Sequence, residues 1–213
     1  LVHTDAVQAL GKIKIDRKSL DVDFISLSAH KIGGPQGVGA LILNEEIPFT
    51  SLLKGGGQER GRRAGTENLP GIAGFGEAAK IARDLSSIPK IKSLRDKLEG
   101  LIKTASIEAI IYGEDAERLP NTSCISMHGV LNETQVMLFD LAGIMVSAGS
   151  ACSSGKIQSS HVLKAMGIPD SQASSAIRVS LGLDNTLEEV KYFVDQWQKI
   201  FANSNPSKFQ AVA

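Results

Sequence analysis

The stretch Ser26-Leu27-Ser28-Ala29-His30-Lys31-Ile32-Gly33-Gly34-Pro35 decides the fold that we predict for this chain. A β-prone run leads directly into it, and turn residues that allow close backbone approach follow the lysine. Ser28 and His30 are two residues apart, so in an extended chain both side chains point the same way and can bind one anion. Desolvation of Lys31 at the end of a buried strand would favour a neutral, nucleophilic amine that can form a Schiff base. A solvated surface lysine is the other interpretation of this stretch.

Length and composition are those of a soluble globular protein. The chain has 213 residues, of which 42% are hydrophobic and 22% charged, so it can bury a core in one large or two small domains. Basic and acidic residues each number 23, a balance that argues against general binding to nucleic acid or to acidic membranes. Two cysteines without CxxC spacing, no apolar run of bilayer length and no signal-peptide pattern predict a cytoplasmic protein.

The first residues predict that the chain is the later part of a longer protein. It has no initiator methionine, and Leu1-Val2-His3-Thr4-Asp5-Ala6 reads as the end of a strand that runs into a helix. A natural N-terminus rarely starts inside such an element, so we expect further sequence before Leu1.

The pattern of apolar residues predicts an α/β fold in two parts. The first part contains continuous apolar runs of the kind found in a mostly parallel sheet. Its strands are expected at 1–4, 23–28 and 39–43. The segment Ser86-Ser87-Ile88-Pro89 combines turn residues with a helix breaker and divides the chain into residues 1–86 and 87–213.

The second part reads as a small α+β domain. Its strands are expected near 107–111, 123–127 and 176–181. Two helices are preceded by residues with capping-box spacing, Asn132 with Gln135 and Thr186 with Glu189. The last helix carries an apolar stripe that predicts packing on a core. The stripe consists of Leu187, Val190, Val194, Trp197 and Phe201.

Asp5 ends the first predicted strand, and Gln8 lies one turn further along the helix that we expect after it. A carboxylate in this position can cap the helix. It can equally hold the charge of a protonated ring nitrogen, with Gln8 reaching a nearby ring hydroxyl group. Both interpretations are open.

A loop at 55–66 combines three arginines with five glycines in twelve residues. Backbone amides and guanidinium groups in such a loop can bind phosphate. A solvated loop and an RNA-contacting patch are the alternatives. The zero net charge and the scarcity of aromatic residues argue against RNA.

Cys152 is the candidate nucleophile. Small residues surround it in the glycine- and serine-rich segment 147–155, which leaves the thiol accessible, and Lys156 nearby favours the thiolate. Cys124, inside a predicted strand, is expected to serve packing. The four histidines and two cysteines do not have metal-ligand spacing, so we expect no metal site.

Arg178 interrupts the apolar strand at 176–181. A charge in that position needs a partner. The partner is either a substrate carboxylate held by two guanidinium hydrogen bonds or an internal salt bridge.

Taken in order, five motifs resemble those of cysteine desulfurases, which are pyridoxal-phosphate enzymes of fold type I in the class-V aminotransferase group. The motifs are His3-Thr-Asp5-Ala-Val-Gln8, Ser28-Ala-His30-Lys31, the loop from Gly55 to Asn68, Gly149-Ser-Ala-Cys152-Ser-Ser and Ile177-Arg178-Val-Ser. The resemblance extends from Val2 to about Trp197. It implies that residues 1–86 are the end of the large cofactor-binding domain and that residues 87–213 are the small C-terminal domain.

The resemblance implies cofactor roles for five residues. Lys31 would be the Schiff-base lysine and the proton shuttle at the substrate carbon. Asp5 would pair with the pyridine nitrogen, and Gln8 would contact the ring hydroxyl group. Ser28 and His30 would hold the cofactor phosphate.

The remaining implied roles concern the substrate and the partners. Thr66 would reach the phosphate of the partner subunit in a homodimer. Arg178 would bind the carboxylate of L-cysteine. Cys152 would take up the substrate sulfur as a persulfide, with release of alanine, and pass it to an iron–sulfur scaffold protein or another acceptor.

Members of this family have another half of the large domain before the equivalent of Asp5, and this sequence does not contain it. We therefore expect the 213 residues alone to be inactive and the function to belong to the longer protein. A selenocysteine lyase or another class-V aminotransferase is the alternative within the class. Outside it, the alternative is a catalytically silent piece that serves binding or dimerisation.

Overall fold

A computed structural model describes residues 1–148 and 160–204 of the chain. The chain divides into two compact units, Leu1–Ser86 and Ser87–Ala213. The turn residues before Pro89 led us to expect a division at the same position. That the units are parts of a cofactor-binding and a small domain stays a prediction. Within the described ranges, no helix is both long and apolar enough to cross a membrane.

The first unit contains one three-stranded sheet with short helices around it. Its elements are β1 (His3–Asp5), α1 (Arg17–Leu20), β2 (Phe24–Ser28), a 3₁₀ turn (Ala29–Ile32), β3 (Gly39–Leu43), a second 3₁₀ turn (Gln58–Gly61) and α2 (Leu69–Ile81). The strand order is β1-β2-β3, and Ile25 in the central strand is almost completely buried.

The sheet of the first unit is mixed, whereas the sequence predicts a mostly parallel one. β1 pairs parallel with β2, but β2 pairs antiparallel with β3, so that Ser28 lies opposite Gly39. The connection at 29–38 is too short for the crossover that a parallel neighbour needs, which is about a dozen residues or more. Most of β3 is also exposed, although its sequence is apolar.

Residues 7–13 form a series of turns and not the regular helix that the sequence predicts. Helix-like bonds are present, from Leu10 N to Ala6 O at 3.2 Å and from Ile13 N to Ala9 O at 3.1 Å. Gly11 has φ 75°, which interrupts the helical path. The turns still bring residues four positions apart close to each other.

The second unit is an α+β arrangement around an antiparallel sheet. Its elements are α3 (Ile88–Ala105), β4 (Ile110–Ile111), β5 (Thr122–Ser126), α4 (Asn132–Leu141), β6 (Ser147–Ala148), α5 (His161–Ala165), α6 (Asp170–Ala173), β7 (Ala176–Ser180) and α7 (Leu187–Ser204). The strand order is β4-β5-β7-β6. α3 and α7 supply much of the core that packs on this sheet.

The predicted stripe of the last helix is confirmed as part of that core. Trp197 is 1% exposed and stacks on Phe201 with ring centroids 5.3 Å apart. Phe193, on the same helix, stacks on Phe139 of α4 at 4.9 Å. Large buried aromatic rings of this kind contribute strongly to the stability of a small domain.

One of the two predicted capping boxes is confirmed. Thr186 N donates to Glu189 Oε2 at 2.9 Å, and Glu189 N donates to Thr186 Oγ1 at 3.2 Å. The box at Asn132 and Gln135 is wrong, because both residues are buried and α4 begins without a side-chain cap.

The side-chain amide of Gln135 donates hydrogen bonds to two backbone carbonyl groups. Its Nε2 donates to Val130 O at 2.8 Å and to Ser175 O at 2.7 Å. Buried carbonyl groups need partners, and here that requirement outweighs the local capping pattern.

A partly buried group of charges stabilises the start of the second unit. Arg118 binds the carboxylate of Glu99 through two hydrogen bonds, at 2.8 and 3.0 Å, and Arg95 lies 3.9 Å from the same carboxylate. The side chain of Glu99 is only 10% exposed. Burial by itself raises the pKa of Glu99, but the bonds and charge of Arg118 and the charge of Arg95 outweigh it and leave the pKa lowered.

We predict that Glu99→Gln lowers the free energy of unfolding at pH 7 by about 3 kcal/mol, because it leaves Arg118 without its buried counter-charge, whereas Arg95 keeps its hydrogen bonds to Asp96. Urea unfolding followed by the fluorescence of Trp197, the only tryptophan, measures this. Because the folded-state pKa is lowered, the stabilisation is present above the unfolded-state pKa and is lost as the pH falls through the folded value. The two proteins should therefore begin to converge as the pH falls below the unfolded-state value of about 4.3. Exposed Glu117→Gln is the matched control, and an equal loss in both variants would contradict the account.

Candidate active site

Parallel pairing of β1 and β2 places polar side chains together on one face of the first unit's sheet. Asp5 lies opposite Ser26, and side chains two residues apart on a strand share a face, which adds His3 and Ser28. His3 Nε2 is hydrogen-bonded to Ser26 Oγ at 2.8 Å. The sequence analysis missed this pair, although alternating polar residues in both strands were a signal for it. Asp5 and Ser28 lie at the carboxyl ends of β1 and β2, and the carboxyl ends of parallel strands are a common location for ligand sites.

Ser28 and His30 are brought together as the sequence predicts. Ser28 Oγ and His30 Nδ1 are hydrogen-bonded at 2.7 Å, across the end of β2 and the start of the 3₁₀ turn. Ala29 is buried and its N donates to Val38 O at 3.2 Å, while His30 stays exposed. A hydroxyl and an imidazole fixed in this way present two groups to one anion.

Lys31 follows in the same turn and is exposed, not desolvated as the sequence led us to expect. Gly33 ends the turn with φ 81°, a conformation that favours glycine. A Cβ on Gly34 would lie 3.0 Å from Ala29 O, so this glycine serves close packing inside the chain. Gly33 and Gly34 therefore allow the tight turn that carries Lys31.

Asp5 caps the turns that follow β1. Its Oδ1 accepts a hydrogen bond from Val7 N at 3.0 Å, and the residue is exposed. Capping one backbone amide leaves the second carboxylate oxygen for other partners. The two interpretations of Asp5 are therefore compatible.

Gln8 is bound by a residue that the sequence analysis missed. Lys12 Nζ donates to Gln8 Oε1 at 2.9 Å and to Gln8 O at 3.0 Å. Partial burial, and then the positive charge of nearby Lys31, lower the pKa of Lys12. The four-residue spacing of Gln8 and Lys12 was the available signal.

The arginines of the loop at 55–66 bind the chain itself. Arg60 forms an ion pair with Glu45 at 2.6 Å, and Arg63 Nη1 donates to Gly65 O at 3.2 Å and to Thr66 O at 3.4 Å. Glu59 and Arg60 both have positive φ, 49° and 56°. Thr66 itself is exposed, and its predicted contact with a partner subunit stays a prediction.

Arg178 lies in β7, which has a strand on each side. Its sheet neighbours are Cys124 in β5 and Ser147 in β6. Ile177 and Val179 are buried in the core, so Arg178 points to the opposite face, where it is exposed. Within residues 1–148 and 160–204 it forms no ion pair.

The two cysteines cannot be compared directly, because Cys152 lies outside the described residues. Cys124 packs beside the cluster around Tyr112 and Leu163. Burial raises the pKa of Cys124 to about 11, and the charge of Arg178 opposes this shift only in part. Cys124 is thus a poor thiolate at neutral pH, in agreement with a packing role.

These groups occur in an order and a fold that are known from one enzyme family. A family model described as aminotransferase class-V matches residues 1–193. The chain belongs to the class-V aminotransferase family. Its α/β fold is that of NifS-like structures. A NifS-like protein from Rickettsia africae superimposes with a TM-score of 0.83 at 38% identity, covering 93% of this chain and 53% of that one. A second NifS-like protein superimposes with a TM-score of 0.84 at 39% identity, covering 95% of this chain and 53% of that one.

The curated relatives are described as cysteine desulfurases. The one from Sinorhizobium fredii is 50% identical over 193 residues, covering 89% of this chain and 50% of the relative. The one from Cereibacter sphaeroides is 47% identical over 203 residues, covering 92% of this chain and 52% of the relative. The chain thus spans about half the length of the curated relatives it matches.

Proposed function

We propose that this chain is part of a pyridoxal-phosphate-dependent cysteine desulfurase that converts L-cysteine to L-alanine. The observation that carries the proposal is the donor set at the carboxyl ends of β1 and β2. There the first unit presents a carboxylate, the bonded hydroxyl–imidazole pair and an exposed lysine: Asp5, Ser28, His30 and Lys31. The names of the relatives support the same reaction.

The donor set fits pyridoxal phosphate. A phosphate needs hydrogen-bond donors, which Ser28 and His30 can supply together, and Lys31 remains for the covalent link. Asp5 lies on the neighbouring strand opposite Ser26, two residues before Ser28. With adjacent strands about 4.8 Å apart, the backbone positions of Asp5 and Ser28 are roughly 8 Å apart. That separation suits an aromatic ring with a phosphate arm.

Bound pyridoxal phosphate supplies an electron sink for bond cleavage next to the substrate α-carbon. Asp5 would keep a pyridine nitrogen protonated through a charge-assisted hydrogen bond, and Gln8 would contact the ring hydroxyl group. Lys31 would hold the cofactor covalently through Nζ and move a proton at the substrate α-carbon. Its exposure suits an amine that must be reached by a ligand.

Arg178 would bind the carboxylate of L-cysteine. Its guanidinium group is exposed on a central strand, and a planar fork of N–H donors matches a carboxylate in two hydrogen bonds. A central strand held on both sides gives the long side chain a fixed origin.

Cys152 would accept the sulfur. Its thiolate attacks the substrate sulfur, a sulfur–sulfur bond forms, and the carbon–sulfur bond of the substrate breaks. The carbon skeleton leaves as alanine after protonation, and the enzyme keeps a persulfide for transfer to an iron–sulfur scaffold or another sulfur-acceptor protein. A homodimer in which Thr66 reaches the partner's cofactor phosphate, and a cytoplasmic location, are parts of the same proposal.

We predict that Ser28→Ala weakens binding of pyridoxal phosphate by about tenfold in the full-length protein, because one donor to a charged phosphate is lost. Binding of pyridoxal, which has no phosphate, should change little. Fluorescence titration of the cofactor-free protein with both compounds measures this. Ser19→Ala, an exposed serine in α1, is the control. Equal weakening for both compounds would contradict the phosphate role.

We predict that Cys152→Ser slows alanine formation from L-cysteine by at least about 100-fold, as expected when a covalent nucleophile is removed. Cys124→Ser should retain most of the wild-type rate, since the Cys124 thiol is held protonated. The assay quantifies alanine and protein-bound persulfide in the full-length enzyme. If Cys152→Ser forms alanine at the wild-type rate, another group accepts the sulfur and the proposal is wrong.

A further inference from the structure

Lys12 is the only lysine that the described residues show bound to a proposed cofactor contact. The turns at 7–13 bring it back over Gln8, where Nζ donates to both the side-chain and the backbone oxygen of that residue. The bond to the backbone oxygen fixes the Lys12 ammonium group, and the bond to Oε1 then holds the Gln8 side chain. Lys12 is also partly buried, unlike exposed Lys14 two residues later.

An ammonium group can only donate hydrogen bonds. It therefore selects one of the two orientations of the Gln8 amide, the one with Oε1 towards Lys12 Nζ at 2.9 Å. The Gln8 Nε2 group then faces away from Lys12 with its two N–H donors. A ligand atom that hydrogen-bonds to Nε2 must be an acceptor.

We propose that Lys12 is a positioning residue that fixes the Gln8 amide with Nε2 as a donor to the ring oxygen of pyridoxal phosphate. This inference rests on the proposed function. A donor at this position favours the deprotonated ring oxygen, which is a stronger acceptor than the hydroxyl group. Lys12 thereby acts on the cofactor through Gln8 and not by touching it.

The charge of Lys12 has to be separated from its hydrogen bond. Lys31 lies close enough for its charge to contribute to the lowered pKa of Lys12, so removal of Lys12 also changes the electrostatic field at Lys31. Three substitutions are compared in the wild-type and in a Gln8→Ala background, because an effect of the charge that does not pass through Gln8 remains in Gln8→Ala, whereas the orienting effect is lost. Lys12→Met removes the charge and the donor. Lys12→Gln keeps a bonding amide but permits both orientations of Gln8. Lys12→Arg keeps a group that can only donate.

The test uses the full-length protein loaded with pyridoxal phosphate. The readouts are the dissociation constant and the ratio of the visible to the near-ultraviolet absorption band, which reports the ionisation of the ring oxygen. We expect Lys12→Met and Lys12→Gln to weaken binding by about tenfold and to reduce the visible band. Lys12→Arg should restore both, and Lys14→Met should have no effect. A purely structural role would not change the band ratio.

A cofactor-free readout separates this proposal from the proposed function. In protein without pyridoxal phosphate, the NMR signals of the Gln8 side-chain amide should shift in Lys12→Met and stay in place in Lys14→Met. If the wild type binds no cofactor but these signals shift, the proposed function fails and the Lys12–Gln8 contact stands. If the cofactor binds and Lys12→Gln keeps the wild-type affinity and band ratio, the orienting role of Lys12 is wrong.

Discussion

The parallel pairing of β1 with β2 is the constraint on which the candidate site depends. Its register sets Asp5 beside Ser26, and the bond from Ala6 N to Ser26 O at 3.1 Å extends that register beyond the strand. Because side chains alternate along a strand, this single pairing decides that Asp5 and Ser28 share a face. A shift of one residue would turn one set of groups to the other side of the sheet.

Local turns then add the groups that the strands cannot carry. The 3₁₀ turn after β2 presents His30 and Lys31, and the turns after β1 present Gln8 with Lys12 behind it. The second unit uses another device, since Arg178 comes from the middle of a sheet whose opposite face is the core. Both arrangements place polar groups on a frame made rigid by hydrogen-bonded strands, which is what a binding site requires.

Features with a local cause could be predicted from the sequence. The capping box of Thr186 and Glu189 depends on neighbouring residues alone. Features decided by distant parts of the chain could not. Gln135 has capping-box spacing, but its side chain donates to Ser175 O, 40 residues away, as well as to nearby Val130 O. Lys12 carries no motif of its own, its four-residue spacing from Gln8 is a weak signal outside a regular helix, and the path of the turns shows that it binds Gln8. The site residues came from the order of the motifs, and the structure adds their contacts.

The most direct test of the account is the identity of the lysine that carries the cofactor. The full-length protein would be loaded with pyridoxal phosphate, reduced with borohydride to fix the covalent link, digested and mapped by mass spectrometry. The account predicts one modified residue, Lys31, and no modification of Lys12, which acts only through Gln8. A folded protein that keeps no cofactor after reduction, or that carries it on Lys12 instead, would contradict the account.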